Sequence, residues 1–194
     1  MGNSKTIGNT AALHTRPSYL FSKTNGSGNN KLSLRQLNLN EDLPVMLRWI
    51  RYYTGTKESR GTQQYIHQAF EDIISSGFAL PLMCVMNNLP VCQIELFQYI
   101  CSDSSSPINC LPGDYGLRLF NAPEIRNQKQ VLMNLLELCL HYAFSLQPVE
   151  RVICQSDPEN DMLNQSFTDS GFHLVHTLQL QLYQTDLYIY CREK

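Results

Sequence analysis

The sequence lacks an excess of basic residues, a long apolar run and an apolar leader. It has 15 Lys and Arg against 17 Asp and Glu in 194 residues, for a formal net charge of −2. Because affinity for a phosphate backbone comes mainly from clustered Lys and Arg, this balance argues against a broad nucleic-acid-binding surface. No stretch reaches the roughly 18 apolar residues of a transmembrane helix, and no signal-peptide core follows Met1. We therefore expect a cytoplasmic protein without a membrane span.

The sequence also lacks paired cysteine motifs. Its seven cysteines stand singly, with no CxxC and no Cys/His pair at zinc-binding spacing. They are Cys84, Cys92, Cys101, Cys110, Cys139, Cys154 and Cys191. Most lie inside apolar runs, which is typical of buried free thiols in a reducing compartment. We expect no metal site and no cysteine nucleophile.

Composition predicts one globular domain preceded by a tail. The chain is 43% hydrophobic and 10% aromatic, which suits a single core of this length. Residues 1–30 are rich in Gly, Asn, Ser and Thr, and such a segment buries too little apolar surface to offset its ordering entropy. We expect a flexible tail over 1–30 and a folded domain over 31–194.

Hydrophobic periodicity in the first half of the domain predicts a strand, two helices and a hairpin. LSLRQL alternates as a half-buried strand does, and Asn40 is placed to cap the helix that follows. A second helix is predicted over about 63–75, ending at Gly77. The runs ALPLMCVM and VCQIELFQYI are joined by NNLP, which predicts two antiparallel strands.

The segment from Asp114 to Phe172 has the order of a βαβα unit. A strand (DYGLRLFNAP), a basic turn (EIRNQKQ) and an apolar helix precede a second strand (RVICQSDPEN) and a second helix closed by SGF. The first helix directs its N-terminal amides and the positive end of its dipole beyond the first strand, which predicts a phosphate site around Arg126. Two more strands complete the plan βααβββαβαββ, a mixed sheet with helices on both faces.

This plan and its motifs resemble the GNAT superfamily of acyl-CoA-dependent N-acyltransferases over roughly residues 32–193. The motifs PVCQIELF, DYGLR, SDPEN and the closing Gly171-Phe172 resemble the siderophore-biosynthesis branch, which acylates lysine or hydroxylysine. The resemblance implies an α/β (α+β) fold with a mixed, mainly antiparallel sheet of six to seven strands, helices on both faces and a βαβ acyl-CoA unit. It also implies acetyl-CoA or another acyl-CoA as co-substrate.

The chain departs from the family pattern at two chemically sensitive places. The family's strand His falls on Arg118, which cannot act as a base because its guanidinium stays protonated. The glycines of the pyrophosphate loop fall on Asn127 and Lys129, although Arg126 and Lys129 add positive charge there. A hydroxylamine acceptor would ease the loss of the His, because its nitrogen is already neutral at pH 7.

The resemblance implies two sets of site residues. The residues implied to be catalytic or substrate-orienting are Glu95, Asp114, Arg118 and Asp157. Those implied to contact acyl-CoA are Leu119, Phe120, Arg126, Asn127, Gln128, Lys129 and Asn160. Structural alternatives stay open for several: Asp157 and Asn160 as helix caps, Asp114 as a turn residue, and Arg118 as an ion-pair partner of Glu95.

Three functions are compatible with these residues. The first is acyl transfer, with acetyl expected, to an amine or hydroxylamine of a small molecule in siderophore-type biosynthesis. The second is an aminoglycoside-type N-acetyltransferase. The third is a non-catalytic member of the fold that binds a partner or ligand without turnover. The sequence leaves the acceptor, the acyl group and the oligomeric state open.

Overall fold

The structure, a computed structural model, describes residues 19–24, 31–55, 60–101, 108–146, 149–179 and 182–192. The strands are β1 (Phe21–Thr24), β2 (Lys31–Gln36), β3 (Ala79–Met86), β4 (Leu89–Gln98), β5 (Asp114–Asn121), β6 (Arg151–Ser156), β7 (His173–Gln179) and β8 (Gln184–Cys191). The helices are α1 (Leu39–Thr54), α2 (Arg60–Ser76), α3 (Lys129–Ser145) and α4 (Asp161–Asp169). A 3₁₀ turn, Pro123–Ile125, joins β5 to α3.

All eight strands form one sheet in the order β1-β2-β3-β4-β5-β6-β8-β7. Every neighbouring pair is antiparallel except β5 and β6, which are parallel and connected through α3. The predicted mixed, mainly antiparallel α/β fold is therefore confirmed. No helix in the described ranges is long and apolar enough to cross a membrane.

The sheet has one strand more than the six to seven expected. The additional strand is β1, which lies inside the segment predicted as a tail; residues 1–18 and 25–30 of that segment lie outside the described residues. Phe21 packs against the core, with its ring 6.2 Å from that of His141 on α3. Lys23 forms an ion pair with Glu137 of α3. These partners lie more than one hundred residues away, so local composition does not reveal them.

Helix α1 begins two residues earlier than expected. Asn38, not Asn40, is its N-cap, and the Asn38 side chain accepts a hydrogen bond from the Asn40 amide at 3.1 Å. The buried Asp42 carboxylate accepts two hydrogen bonds of 2.6 Å from the Arg35 guanidinium. This bidentate pair fastens the first turn of α1 to β2.

Helix α3 lies against the sheet with the apolar face that the sequence predicts. The residues of that face are Leu132, Leu135, Leu136, Cys139 and Ala143, all of them buried. They pack with residues of β2, β3, β4 and β6 into one core. Because α3 is fixed by this face, its N-terminus has a defined position beyond the end of β5.

The prediction that all cysteines are free thiols is wrong for two of them. Cys101 and Cys110 form a disulfide, with their Cα atoms 5.9 Å apart. They lie at the two ends of the β4–β5 connection, and β4 and β5 pair as far as a bond from the Tyr99 amide to the Asp114 carbonyl at 2.9 Å. Strand pairing therefore brings the loop ends together, which spacing alone does not show. Cys191 is free but exposed; the other four are free and buried.

Candidate functional site

The centre of the sheet contains a fork between β5 and β6. Their parallel pairing covers four residue pairs, from Asp114 opposite Arg151 to Leu117 opposite Cys154. Beyond these pairs β5 pairs only with β4, and β6 only with β8. The two strands therefore diverge after Leu117 and Cys154. This divergence leaves backbone N–H and C=O groups on the facing edges free to bond a strand-like ligand.

The closed end of the fork is held by an ion pair. The Asp114 carboxylate is buried, and its two oxygens each accept a 2.6 Å hydrogen bond from the Arg151 guanidinium. Its Oδ2 also accepts from the Leu111 amide at 2.8 Å. Asp114 thus already binds a cation of its own chain and lies apart from the other predicted site residues.

The open end of the fork leads to the N-terminus of α3. Gln128 occupies the N-cap position without a side-chain capping bond, and its own amide side chain instead donates to the Glu124 carbonyl at 2.7 Å. The first-turn amides of α3 are therefore not capped by a side chain. Such a terminus attracts phosphate through its N–H groups and its dipole.

Two cations predicted to lie near this terminus already have protein partners. The Arg126 guanidinium lies 5.8 Å from the centre of the Tyr53 ring, and the Tyr53 hydroxyl donates to the Asn121 carbonyl at 3.1 Å. Lys129 forms a 2.5 Å ion pair with Asp169 at the end of α4, with both side chains about one-third exposed. Exposed pairs of this kind are weak, so Lys129 remains available for exchange to an anion.

The glycine-free loop between β5 and α3 needs no glycine for its conformation. Among the described residues, positive φ angles occur at Asn87 and Asn88 and at four glycines, and none of these lies between 121 and 129. The loop backbone is therefore in regions open to any L-residue. Asn127 and Lys129 therefore put no strain on the loop backbone. Their side chains can still restrict the access of a ligand to the backbone amides of the loop.

A cavity of about 350 Å³ lies at the fork. It is lined by Phe97, Tyr99, Leu117, Arg118, Ile153, Gln155, Ser156, Asp157, Tyr183, Gln184 and Thr185. Arg118 Nη1 donates to Glu95 Oε2 at 2.6 Å, which confirms the ion pair considered from the sequence. The Glu95 side chain is only 11% exposed, whereas that of Arg118 is 68% exposed.

The turn after β6 carries Asp157 and Asn160. The Asn160 side chain accepts from the Leu163 amide at 3.3 Å and caps α4, which confirms the capping alternative for this residue. Asp157 is exposed, and its Oδ1 accepts from the Glu159 amide at 2.9 Å. Its Oδ2 has no partner among the described residues. Asp157 therefore presents a free carboxylate oxygen at the cavity.

The side chains of Leu119 and Phe120 pack away from the fork. Phe120 contacts the rings of Trp49 and Tyr53, at 5.8 and 5.9 Å between centres, and Leu119 packs against the core. Both residues lie in the stretch of β5 that has no partner strand on its fork side.

Sequence reasoning missed Tyr99 as a site residue. Its hydroxyl hydrogen-bonds Gln155; burial raises the Tyr99 pKa, and this bond opposes the shift. The period of two along β4 places Tyr99 on the face of Glu95 and Phe97, so alternation was a usable signal. Tyr183 and Thr185 had no local signal, because β8 reaches this cavity only through its long-range pairing with β6.

A fork between parallel central strands, with a helix N-terminus beyond it, matches GNAT-like acetyltransferase folds. Solved structures support this assignment. AAC(6')-Ib, crystallised with ribostamycin and coenzyme A, is 16% identical with a TM-score of 0.69, over 83% of this chain and 93% of that chain. RimJ from Mycobacterium smegmatis, in complex with CoA-disulfide, is 13% identical with a TM-score of 0.63, over 83% and 82%.

Another similar structure is an uncharacterised protein from Bacillus halodurans. It is 15% identical with a TM-score of 0.70, over 88% of this chain and 89% of that chain. No protein-family model and no curated protein sequence matches the chain. At these identities the likenesses establish the fold, and what the site does must be argued from its own residues.

Proposed function

We propose that the protein is an acyl-CoA-dependent N-acyltransferase that transfers an acyl group, expected to be acetyl, to the nitrogen of a small amine or hydroxylamine. The observation that carries the proposal is the fork itself, followed directly by an α3 N-terminus without a side-chain cap. Two of the AAC(6')-Ib structures, crystallised with an aminoglycoside and either coenzyme A or acetyl-CoA, have this fold.

The residues present fit such a co-substrate in two places. The edge of β5 beyond Leu117, which has no partner strand on its fork side, suits the amide groups of a pantetheine arm. The α3 N-terminus, with Arg126 and Lys129 nearby, suits a diphosphate. Without glycine, the backbone amides are less open, so these two cations carry more of the binding than glycine loops require.

Transfer needs a positioned amine, a proton acceptor and a donor for the charge that develops on the carbonyl oxygen. Bound acyl-CoA supplies the thioester whose carbonyl carbon the amine attacks; a C–N bond forms, the C–S bond breaks, and the thiolate leaves and gains a proton. We assign the proton acceptor to Asp157, whose Oδ2 is free at the cavity. Backbone N–H groups of the β5 edge are the donors.

Two candidate functions differ in the molecule that accepts the acyl group. A siderophore-type hydroxylamine needs little help from a base, which suits Arg118 in place of a histidine. An aminoglycoside acceptor is favoured by the likeness to AAC(6')-Ib in complex with kanamycin and coenzyme A. Expression in a sensitive bacterium tests the second candidate: unchanged aminoglycoside sensitivity would remove it.

Calorimetric titration of the full chain with acetyl-CoA and with CoA tests the proposal. We expect a Kd near 1 μM, a binding free energy of about −8 kcal/mol. The variant Arg126→Met should weaken both titrations several-fold, because one charge near the diphosphate is lost. Lys23→Met, which removes one positive charge from the edge strand β1, is the control and should bind as the parent does.

Binding must be followed by turnover to complete the test. The rate at which the CoA thiol is released should be measured with a panel of amines and hydroxylamines. We expect this rate to depend on which acceptor is present. Absence of acetyl-CoA binding in a folded protein would overturn the proposal and make the non-catalytic alternative the leading one. Binding without turnover on any acceptor would point to the same alternative.

A further inference from the structure

Arg118 is the first residue of β5 after its pairing with β6 ends. The last pair joins Leu117 of β5 to Cys154 of β6. Its side chain shares a sheet face with Glu95, Phe97 and Gly116, because Glu95 lies opposite Arg118 and Phe97 opposite Gly116 in the β4–β5 ladder. The guanidinium therefore lies on the wall of the fork cavity, where an acceptor must enter.

The Arg118 guanidinium is held on two sides. Nη1 donates to Glu95 Oε2 at 2.6 Å, and the group lies 5.2 Å from the centre of the Phe97 ring. Phe97 in turn lies beside Tyr99, with nearly stacked rings 6.4 Å apart. A guanidinium supported by a buried carboxylate and an aromatic face loses little rotamer freedom when it binds a ligand.

The same guanidinium still has unused donors. Nε and Nη2 donate to no acceptor among the described residues, and 68% of the side chain is exposed. Arginine has five N–H donors in a rigid fork, and its open edge matches a carboxylate bidentately. Glu95 uses one of these donors and leaves that edge available.

Among the described residues that line the cavity, Arg118 is the one cation and Asp157 the one carboxylate. The Glu95 carboxylate does not line the cavity but is bonded to Arg118. An acceptor with an ammonium group and a carboxylate complements both Arg118 and Asp157. An acceptor with several ammonium groups and no anion would meet Arg118 as a like charge, which is unfavourable at short range.

We infer that the acceptor is an amino-acid-like amine, and that Arg118 selects it by binding its carboxylate. This inference rests on the proposed function for its reaction, and on the cavity geometry for its specificity. Arg118 is then a specificity-determining residue.

Matched pairs of amines that differ only in a carboxylate test the inference. The pairs are lysine and cadaverine, ornithine and putrescine, and tyrosine and tyramine, each titrated by calorimetry into the full chain, once alone and once in the presence of CoA. We expect the carboxylated member of at least one pair to bind at least about tenfold tighter than its counterpart, the size of one charge-assisted contact. Arg118→Met should abolish this difference by weakening only the carboxylated member.

Two further variants guard against misfolding. Arg118→Met leaves Glu95 buried without its partner, so Arg118→Lys, which keeps the charge but loses the planar fork, provides a second measurement and should retain part of the preference. Lys23→Met, on the edge strand β1, is the control and should leave the preference unchanged. If turnover occurs, the preference should appear in KM rather than kcat.

The inference and the proposed function fail separately. Equal binding of both members of every pair, or a preference that survives Arg118→Met in a folded protein, would overturn the inference even if acetyl transfer is observed. Loss of acetyl-CoA binding with the carboxylate preference intact would overturn the transferase proposal and leave the inference standing.

Discussion

Gly116 has a packing role that reaches the site through one aromatic ring. A Cβ placed on Gly116 would lie 2.2 Å from an atom of the Phe97 ring, far closer than atoms approach without a shift. Only a residue without a side chain allows Phe97 to lie against the β5 backbone. Because the Arg118 guanidinium lies 5.2 Å from the centre of the same ring, Gly116 indirectly positions it.

The variant Gly116→Ala should be destabilised by overpacking. We expect a loss of about 1–3 kcal/mol in the free energy of unfolding, measured in urea, because the Phe97 ring must move. The double variant with Phe97→Ala is the control, since its ring is absent. Its cost should be clearly smaller than the sum of the two single costs, and additive costs would show that the clash is not the cause.

Contacts between residues were predictable from the sequence only where they lie on strands that are neighbours along the chain. The Arg118–Glu95 pair follows from alternation on two adjacent strands, so the sequence indicated it. The Asp114–Arg151 pair joins strands that are adjacent only through the parallel crossover, and nothing local pointed to it. The same holds for the Cys101–Cys110 disulfide, which depends on how the β4–β5 connection closes.

Helix α4 organises the turn that presents Asp157. The Asn164 side-chain amide donates to the carbonyls of Asp157 and Pro158 at 3.0 and 3.1 Å, and Asn160 caps the helix. A nine-residue helix is marginal on its own, so its cap and its packing through Phe167 are both important. The position of a candidate proton acceptor therefore depends on the integrity of a short helix.

Variants of Asn160 separate its capping role from a role in binding. Asn160→Ala should cost about 1 kcal/mol of unfolding free energy, while Asn160→Ser, which can still cap, should cost much less. Acetyl-CoA titration of the serine variant then reports on direct contact. Parental affinity would assign Asn160 to the cap, whereas a loss of affinity with stability retained would support the predicted acyl-CoA contact.

The order of elements was predictable because each has its own period. The plan βααβββαβαββ matches the structure apart from β1. That strand has four residues, FSKT, with a half-buried and exposed alternation too short to stand out. The start of α1 shifted by two residues because both Asn38 and Asn40 are good caps, and the bond between Asp42 and the Asn38 amide, at 2.8 Å, favours the earlier one.

At the scale of the whole molecule, the free thiols form two groups, four that are buried and one that is exposed. Burial raises the pKa of Cys84 to about 12 and raises the pKa values of Cys92, Cys139 and Cys154 as well. The reactive form is the thiolate, so these four groups should be inert in the native protein. Cys191 is exposed and free.

Thiol titration with a chromogenic disulfide reagent checks this division. We expect one rapidly reacting thiol in the native protein, five in denaturant without reductant, and seven after reduction, given the five free cysteines and one disulfide. The native signal should disappear in Cys191→Ser. Seven thiols in denaturant without reductant would contradict the Cys101–Cys110 bond and restore the interpretation as free cysteines.

The location of the site was predictable to the extent that topology determines it. A βαβ unit places a helix N-terminus beyond its first strand, so the order of elements alone predicts the candidate phosphate site near Arg126. The walls of the cavity contributed by β8 were not predictable, because the order β6-β8-β7 inserts the last strand between two that precede it. Residues such as Thr185 therefore became visible only in three dimensions.

The Asp114–Arg151 pair has a mechanical consequence. It joins β5 and β6 at the point from which they diverge, and their parallel pairing is only four residue pairs long. Between the two halves of the sheet, β1 to β5 and β6 to β8, the strands are therefore joined only by this short paired segment, while the core packs across both halves. We expect the separation of β5 and β6 at the open end to depend on the contacts at the closed end.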